Sequence, residues 1–490
     1  MTILAGFIGL PILTSPLVYL LGHQSDFHRK INSRWFSLLM FVVLWSVWFG
    51  IAFLLESEGA IVFSVGMIRL RMDGLSFLIS SLALLLSTLT TLFSFHDIEG
   101  QTSEEKYYGM IFILIGMILG LVCSGDLFNL WVWFEGTAIS SYLLVAFYNQ
   151  KADALAACVK YFVQTAVGSV LVLFGIGIVL IQTGTLDLAV IKPNASPLLT
   201  IAGALFVMGF GVKAALFPNF TWLPDAYAES PTGVSALLSG VVTVTGLVAL
   251  LKVLSVVMGS QEQWGAVLLI IAAFNIIIGN FLAIAQTEVK RILAYSSISH
   301  IGFILLAFGI GLITHSPLAM RASVLHLFIH GLMKSLAFLA VGTFMYGLGR
   351  KSSQQLTIND LTGAAQRYPA MAVALVMGLL SLAGVPLLAG FVSKWQIFIG
   401  GIQSGSGWII VLMIFAALNS VFSLAYYLPI INALNSKTDE VRWQHTPQIP
   451  LSMRLSVMTL ALLILLLGIF PNLIDWLINP AGEALFALFL

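Results

Sequence analysis

Six ionisable residues lie inside stretches that otherwise read as membrane-spanning helices. Glu135 sits in DLFNLWVWFEGTAISSY, Lys213 in GFGVKAALFP, His326, His330 and Lys334 in HLFIHGLMKSLAF, and Lys394 in AGFVSKWQIF. An ionisable side chain near the bilayer midplane costs roughly 3 kcal/mol or more. One such residue is compatible with a helix that ends early. Six over four helices imply a use, and moving charge across a membrane is the use that fits.

Glu135 falls about eight residues into its span, on the order of 12 Å deep at 1.5 Å per residue. Lys213 is its natural partner, directly before a helix break. Such a pair can switch protonation when its separation changes by a few ångströms; the alternative is a static buried salt bridge that fixes helix packing. His326, His330 and Lys334 are spaced i, i+4, i+8 and share one helical face. Two imidazoles and an amine on one face suit a proton wire, since histidine titrates near physiological pH. A polar stripe bonded to neighbouring helices is the plainer reading. A metal centre has no carboxylate or cysteine close by to complete it.

Lys394 follows a Gly-Val-Pro break and suits a water-filled exit, or it snorkels to the surface. Lys290, in QTEVKRILAYSSISHIG, is either a relay or a cytoplasmic topology signal, with Ser296, Ser297, Ser299 and His300 as a water-holding start to the next helix. Asp126 is placed to cap the helix of Glu135. Asp225 and Glu229 cap or order a broken region, or face a solvent-filled mouth.

The elements that hold these residues follow from composition. The chain has 490 residues, 59% hydrophobic and 9% charged, with mean hydropathy +1.01. Soluble domains carry about 25% charged residues. The expectation is an all-α polytopic membrane protein, with about fourteen apolar runs long enough to span. They run near Leu4–Leu21, Trp35–Leu55, Gly74–Phe95, Tyr108–Cys123, Leu127–Phe147, Lys160–Gln182, Leu198–Phe217, Val234–Met258, Gly265–Ala285, Ala294–Ile313, Ser323–Gly347, Ala370–Gly400, Trp408–Leu434 and Leu455–Leu477. Leu4–Leu21 lacks a basic leader and a cleavage site, so it reads as a retained span.

Of the 22 Lys and Arg residues, fourteen lie beside odd-numbered loops and five beside even-numbered ones. The remainder are the three intramembrane lysines. Odd loops then face the cytoplasm and both termini the other side of a cell (inner) membrane. Cys123 and Cys158 are too far apart in sequence for a redox or metal motif. With no phosphate loop and no dinucleotide fingerprint, ATP hydrolysis has no support, and neither cofactor nor metal is expected. A net charge of +1 gives no sign of nucleic acid.

The seventh and twelfth spans are interrupted, by Lys213-Ala-Ala-Leu-Phe-Pro218 and by Gly384-Val385-Pro386 with Gly390. Broken helices at membrane depth survive only inside protein or beside a cavity. A matched pair points to inverted repeats: an N-terminal segment 1–107, repeats 108–258 and 259–434, and a C-terminal helix 435–490.

KAALFPNFTWLPDAYAESPTGVSALLSG, EVKRILAYSSISHIGF and LFIHGLMKSLAFLAVG resemble the antiporter-like subunits shared by respiratory complex I and the Mrp-type Na+/H+ antiporters. The resemblance runs from about Asp73 to Phe398, and SGDLFNLWVWFEGTAISSY is most similar to the D-type member of the Mrp antiporters. It implies fourteen helices with two inverted five-helix repeats. It also implies a coupling pair at Glu135 and Lys213, a central lysine with histidines at Lys334, His330 and His326, and an outer exit at Lys394.

The implied activity is proton translocation within a multi-subunit membrane complex, as Na+/H+ or K+/H+ antiport. The alternative is the membrane part of a redox-driven NAD(P)H, ferredoxin or hydrogenase complex. Either way the chain is a transporter subunit more than a stand-alone enzyme, with membrane subunits, protons, monovalent cations and the bilayer as partners. A third reading is a subunit kept for structure.

Two positions depart from the family pattern. Many members carry a lysine or histidine in the middle of the eighth span, where SGVVTVTGLVALL offers Thr243 and Val244. Water held by Thr243, Thr245 and Ser239, or Lys290 itself, would have to bridge there. Phe220 stands where complex I members usually have a histidine.

Overall fold

A computed structural model describes residues 2–489, apart from 24–32, 67, 102, 192–195, 258–260, 351–353, 437–442 and 444–445. Arg29, Lys30, Lys192, Lys351, Lys437 and Arg442, all part of the charge count, lie outside the described residues. Among the described residues, twelve helices are long and apolar enough to span, and Pro197–Lys213 and Pro369–Ala383 are shorter apolar helices. Together they account for the fourteen expected spans, the short ones being those with breaks.

The helices are α1 (Thr2–His23), α2 (Ser33–Glu58), α3 (Gly74–Asp97), α4 (Glu104–Cys123), α5 (Leu127–Val145), α6 (Ala152–Thr183) and α7 (Pro197–Lys213). After the break comes the short α8 (Leu223–Glu229), and then the eighth span, built from α9 (Thr232–Leu237) and α10 (Thr243–Val257). Next come α11 (Gln261–Ile284), α12 (Val289–Thr314), α13 (Pro317–Gly347) and α14 (Ala364–Arg367). The last are α15 (Pro369–Ala383), α16 (Ala389–Ile402), α17 (Gly407–Phe422), α18 (Leu424–Asn435), α19 (Leu451–Ile469) and α20 (Asp475–Ala487). Asp73 and Asp126 cap α3 and α5, accepting from the amides of Ser76 at 2.9 Å and Asn129 at 2.7 Å. Pro197, Pro317 and Pro369 open their helices, where the missing N–H costs nothing.

Burial separates the helices into two groups. The apolar windows of Thr232–Val257 and Pro317–Gly347 are 100% buried, against 22% for α2 and 28% for α17 and α18. The eighth and eleventh spans are therefore the interior, and α2, α17 and α18 lie at the periphery.

Both breaks have their freed backbone groups satisfied by side chains, as a non-aqueous setting demands. At the first, the Trp222 indole donates to the Val212 carbonyl at 2.7 Å. Asn275 of α11 accepts from the Phe217 amide at 2.7 Å and donates to the carbonyls of Ala215 at 3.1 Å and Ile298 at 3.3 Å. At the second, Gly384 adopts φ +88°, a left-handed conformation that glycine enters without strain. Lys394 donates to the Leu382 carbonyl at 2.6 Å and Ser420 to the Ala383 carbonyl at 3.0 Å.

Three features were not anticipated from the sequence. A π-helical turn, Leu238–Val242, separates α9 from α10, with the Thr243 hydroxyl donating to the Leu238 carbonyl at 2.6 Å. An antiparallel hairpin of β1 (Ile61–Val65) and β2 (Ile68–Met72) joins α2 to α3. The last span ends at Ile469, and α20 follows it, pressed so closely on α3 that a Cβ at Gly74 would lie 2.4 Å from the Pro480 backbone.

Candidate functional site: buried lysines among neutral oxygens

Lys213 is fully buried at the last turn of α7. Its amine donates to the Phe134 carbonyl at 3.3 Å and stands 5.0 Å from the centre of the Phe134 ring. Among the described residues, Lys213 and Glu135 form no direct salt bridge, with no nitrogen–oxygen pair within 4.0 Å, but the Glu135 carboxylate is near enough to act on the Lys213 ammonium through space. Successive helical residues point about 100° apart, so Phe134 faces α7 and the half-buried Glu135 lies to one side of it. Glu135 falls on the stripe Phe128, Val132, Ile139, Leu143, whose members are all exposed. One carboxylate oxygen of Glu135 is buried without a hydrogen-bond partner among the described residues.

Lys334 is fully buried at the middle of α13. It donates to the Leu293 carbonyl at 2.9 Å and to the Ser296 hydroxyl at 2.7 Å. Ser296 is in turn hydrogen-bonded to the Tyr427 hydroxyl. The Leu293 carbonyl also accepts from Ser297 at 2.9 Å, and Ser297 meets Ser239 of the π turn at 2.9 Å. On the other side of that turn, Thr243 meets the Tyr227 hydroxyl at 2.8 Å. Hydroxyl groups thus cross the position where the family more often has a charge. Thr245 takes no part, donating to the Val242 carbonyl of its own helix at 2.7 Å.

The shared face of α13 also meets α12 and α16. His326 lies 3.2 Å from a ring nitrogen of His300, and its other nitrogen is 2.9 Å from the Ser393 hydroxyl. The His300 and His326 rings stack at 5.3 Å, and His330 stands 5.5 Å from His300 with neither ring nitrogen hydrogen-bonded among the described residues. Lys394, one residue on from Ser393, is 2% exposed and does not snorkel. Besides the Leu382 carbonyl it reaches the Ser420 hydroxyl at 2.8 Å and stands 4.9 Å from the Phe303 ring centre.

Lys290 lies in a helix and not in a loop, and it stands apart from the hydroxyls around Lys334. It is fully buried in the first turn of α12, donating to the carbonyls of Ala228 at 2.8 Å and Ser230 at 2.7 Å. Lys252, counted among the even-loop charges, is buried too, donating to Ser76 at 3.2 Å and to the Val122 carbonyl. Setting both aside leaves the bias of basic residues with the same sign.

Around Lys290 is an ion-pair cluster that sequence reasoning left as capping. Asp225 bridges Lys160 of α6 and Arg291 of α12, each at 2.7 Å. Glu288 pairs with Arg291 at 3.0 Å, and Lys151 with Glu229. Burial pushes the Asp225 carboxyl up, but Lys160 and Arg291 outweigh it and hold it below the usual aspartate range. Burial pushes Glu288 up, and there its cationic neighbours do not prevail.

Tyr227, Tyr427, Ser393 and Asn275 are residues the sequence did not point to, and His300, expected only to hold water at the start of its helix, joins the histidine cluster. His300 had a visible signal, in the SSISH run that starts a buried helix. Ser393 stands beside Lys394 but carries no charge to mark it, and Tyr227, Tyr427 and Asn275 reach the site through packing.

The family model described as NADH:quinone oxidoreductase/Mrp antiporter, TM matches residues 124–420. The chain belongs to this family. It is 30% identical to the N subunit of the F(420)H(2) dehydrogenase of Methanosarcina mazei over 431 residues, 86% of each chain. It is also 30% identical to the D-type component of the Na(+)/H(+) antiporter of Bacillus subtilis over 346 residues, 69% of this chain and 68% of that one. A component of the membrane-bound sulfane sulfur reductase, an archaeal respiratory membrane complex, has the same fold at TM-score 0.85 and 27% identity, covering 100% of both chains. The chain is thus an antiporter-like multi-pass membrane subunit of this family.

Proposed function

We propose that the chain translocates protons as one subunit of a multi-subunit assembly in the cell membrane. One observation carries the reading: Lys213, Lys334 and Lys394 are buried, and among the described residues all three hydrogen-bond only to neutral groups. A buried ammonium held permanently would need a counter-charge. A lysine set among carbonyls and hydroxyls can lose its proton and keep its place.

A proton taken up from the cytoplasmic side reaches Lys213, against which Gly246 of α10 packs. Thr243 lies one turn away on that face of α10. Tyr227, Thr243, Ser239 and Ser297 carry the line across the π turn to Lys334. The His330, His300 and His326 rings lead on to Ser393 and Lys394, the exit to the outer side. Glu135 acts across the outward face of α5, where a neighbouring subunit's charge meets it and biases Lys213 from outside. Lys290 holds the first break to α12 and is a positioning residue. The repeats 108–258 and 259–434, with odd loops in the cytoplasm and both termini outside, complete the arrangement.

Cation/proton antiport driven by a Na+ or K+ gradient is the first reading. A redox-driven complex is the second, favoured by the longer match to the dehydrogenase relative. Vesicles carrying the assembled complex separate them. Proton movement on a Na+ or K+ jump supports antiport, and movement only on addition of a reduced electron donor supports the other. In either case Lys213→Met abolishes proton movement; wild-type movement in an assembled variant contradicts the proposal.

A further inference from the structure

A groove of about 850 Å3 lies between the end of α2, the hairpin, the start of α3 and α20. Its walls are apolar and open to the lipid-facing side, with Phe53 74% and Trp476 59% exposed. Its rim carries Glu56, Asp73 and Glu483 against a single cation, Arg71. Asp73 is already occupied, capping α3 and standing 3.8 Å from Arg71. Glu56 and Glu483 have no hydrogen-bond or ion-pair partner among the described residues. An amphipathic groove at a helix end, with an indole at its mouth, has the mixed polarity that suits the headgroup region of a bilayer.

We propose that this groove binds an aminophospholipid of the phosphatidylethanolamine class. Arg71 takes the phosphate, Glu56 and Glu483 take the primary ammonium, and an acyl chain runs along Phe53 and Trp476. The excess of carboxylates over cations selects against a purely anionic headgroup. A primary ammonium donates charge-assisted hydrogen bonds to carboxylates, which a quaternary choline cannot. Seated there, the lipid ties α20 to the end of α2. The site is independent of the proton line, so it stands or falls separately.

The test uses the full-length chain purified within its complex and stripped of lipid. It is then offered phosphatidylethanolamine and phosphatidylglycerol with matched acyl chains. Native mass spectrometry reads the bound ratio in the wild type and in a Glu56→Gln, Glu483→Gln double variant, whose substitutions are exposed and leave the packing intact. We expect the wild type to favour phosphatidylethanolamine and the double variant to lose that preference by about tenfold. No preference in the wild type, or a preference unchanged in the double variant, overturns the proposal. So does cross-linking that puts a neighbouring subunit in the groove.

Discussion

Lys334 and Ser297 share one acceptor, the Leu293 carbonyl, each at 2.9 Å. Lys334 belongs to α13 and Ser297 to α12, and Ser297 also touches the π turn through Ser239. The uncharged turn of the eighth span is therefore joined to the central lysine by a continuous run of hydrogen bonds. On the Lys334 side, hydroxyls take the place of a lysine or histidine at Thr243 and Val244; among the described residues no hydrogen bond joins Thr243 to Lys213.

Ser297→Ala removes both of those links without adding volume. Proton movement through vesicles should fall roughly fivefold, the value of about one hydrogen bond, while the complex assembles as before. An unchanged rate would show that the hydroxyl line is not used.

Glu135→Gln should leave thermal stability of the chain within about 1 kcal/mol, because Glu135 makes no ion pair inside the subunit among the described residues. The same substitution should impair transport, since the proposed function sets that charge against a neighbouring subunit. Thermal unfolding in detergent and transport in vesicles, read on one preparation, check both halves. A large stability loss would mean that Glu135 packs inward after all.

The crossing of α13 over the π turn depends on two glycines. A Cβ at Gly331 would lie 2.7 Å from the Gly240 carbonyl, and one at Gly240 would lie 2.6 Å from the Ser335 hydroxyl. Gly331→Ala should therefore destabilise by about 1–3 kcal/mol through overpacking. Small residues let helices approach closely where no hydrophobic effect drives them together. A denaturation midpoint equal to wild type would contradict the close contact.

Span number, the two breaks and the four charged helices were legible because apolar length and Gly/Pro interruptions are local signals. The nearness of Glu135 to Lys213 was legible, but the lack of a direct salt bridge was not, because hydropathy gives depth but not which way a helix face turns; the exposed stripe at Phe128, Val132 and Ile139 reveals that. Lys290 stayed open between relay and topology signal because EVKR is polar; the end of α8 folds over it, and Ala228 and Ser230 supply two carbonyls. The π turn has no composition signal. Helix α20 follows a proline and is too short to register as a span, so it merged with the one before it.

Asp225 carries the pH prediction. Its pKa is depressed in the folded chain by Lys160 and Arg291, so its contribution is present above about pH 4, the unfolded value. It is lost as pH falls through the lower folded value. Thermal midpoints between pH 7 and pH 3 should drop less in Asp225→Asn than in wild type. Because both pairs are partly exposed, Asp225→Asn should cost only about 1 kcal/mol at pH 7. Parallel pH curves for the two proteins would refute the assignment.

The most direct test of the central claim is proton flux through vesicles carrying the assembled complex with Lys334→Met, a change that keeps length and removes the exchangeable proton. Buried lysines with neutral partners predict flux at the level of empty vesicles, with assembly intact. Wild-type flux in the assembled variant would contradict the account.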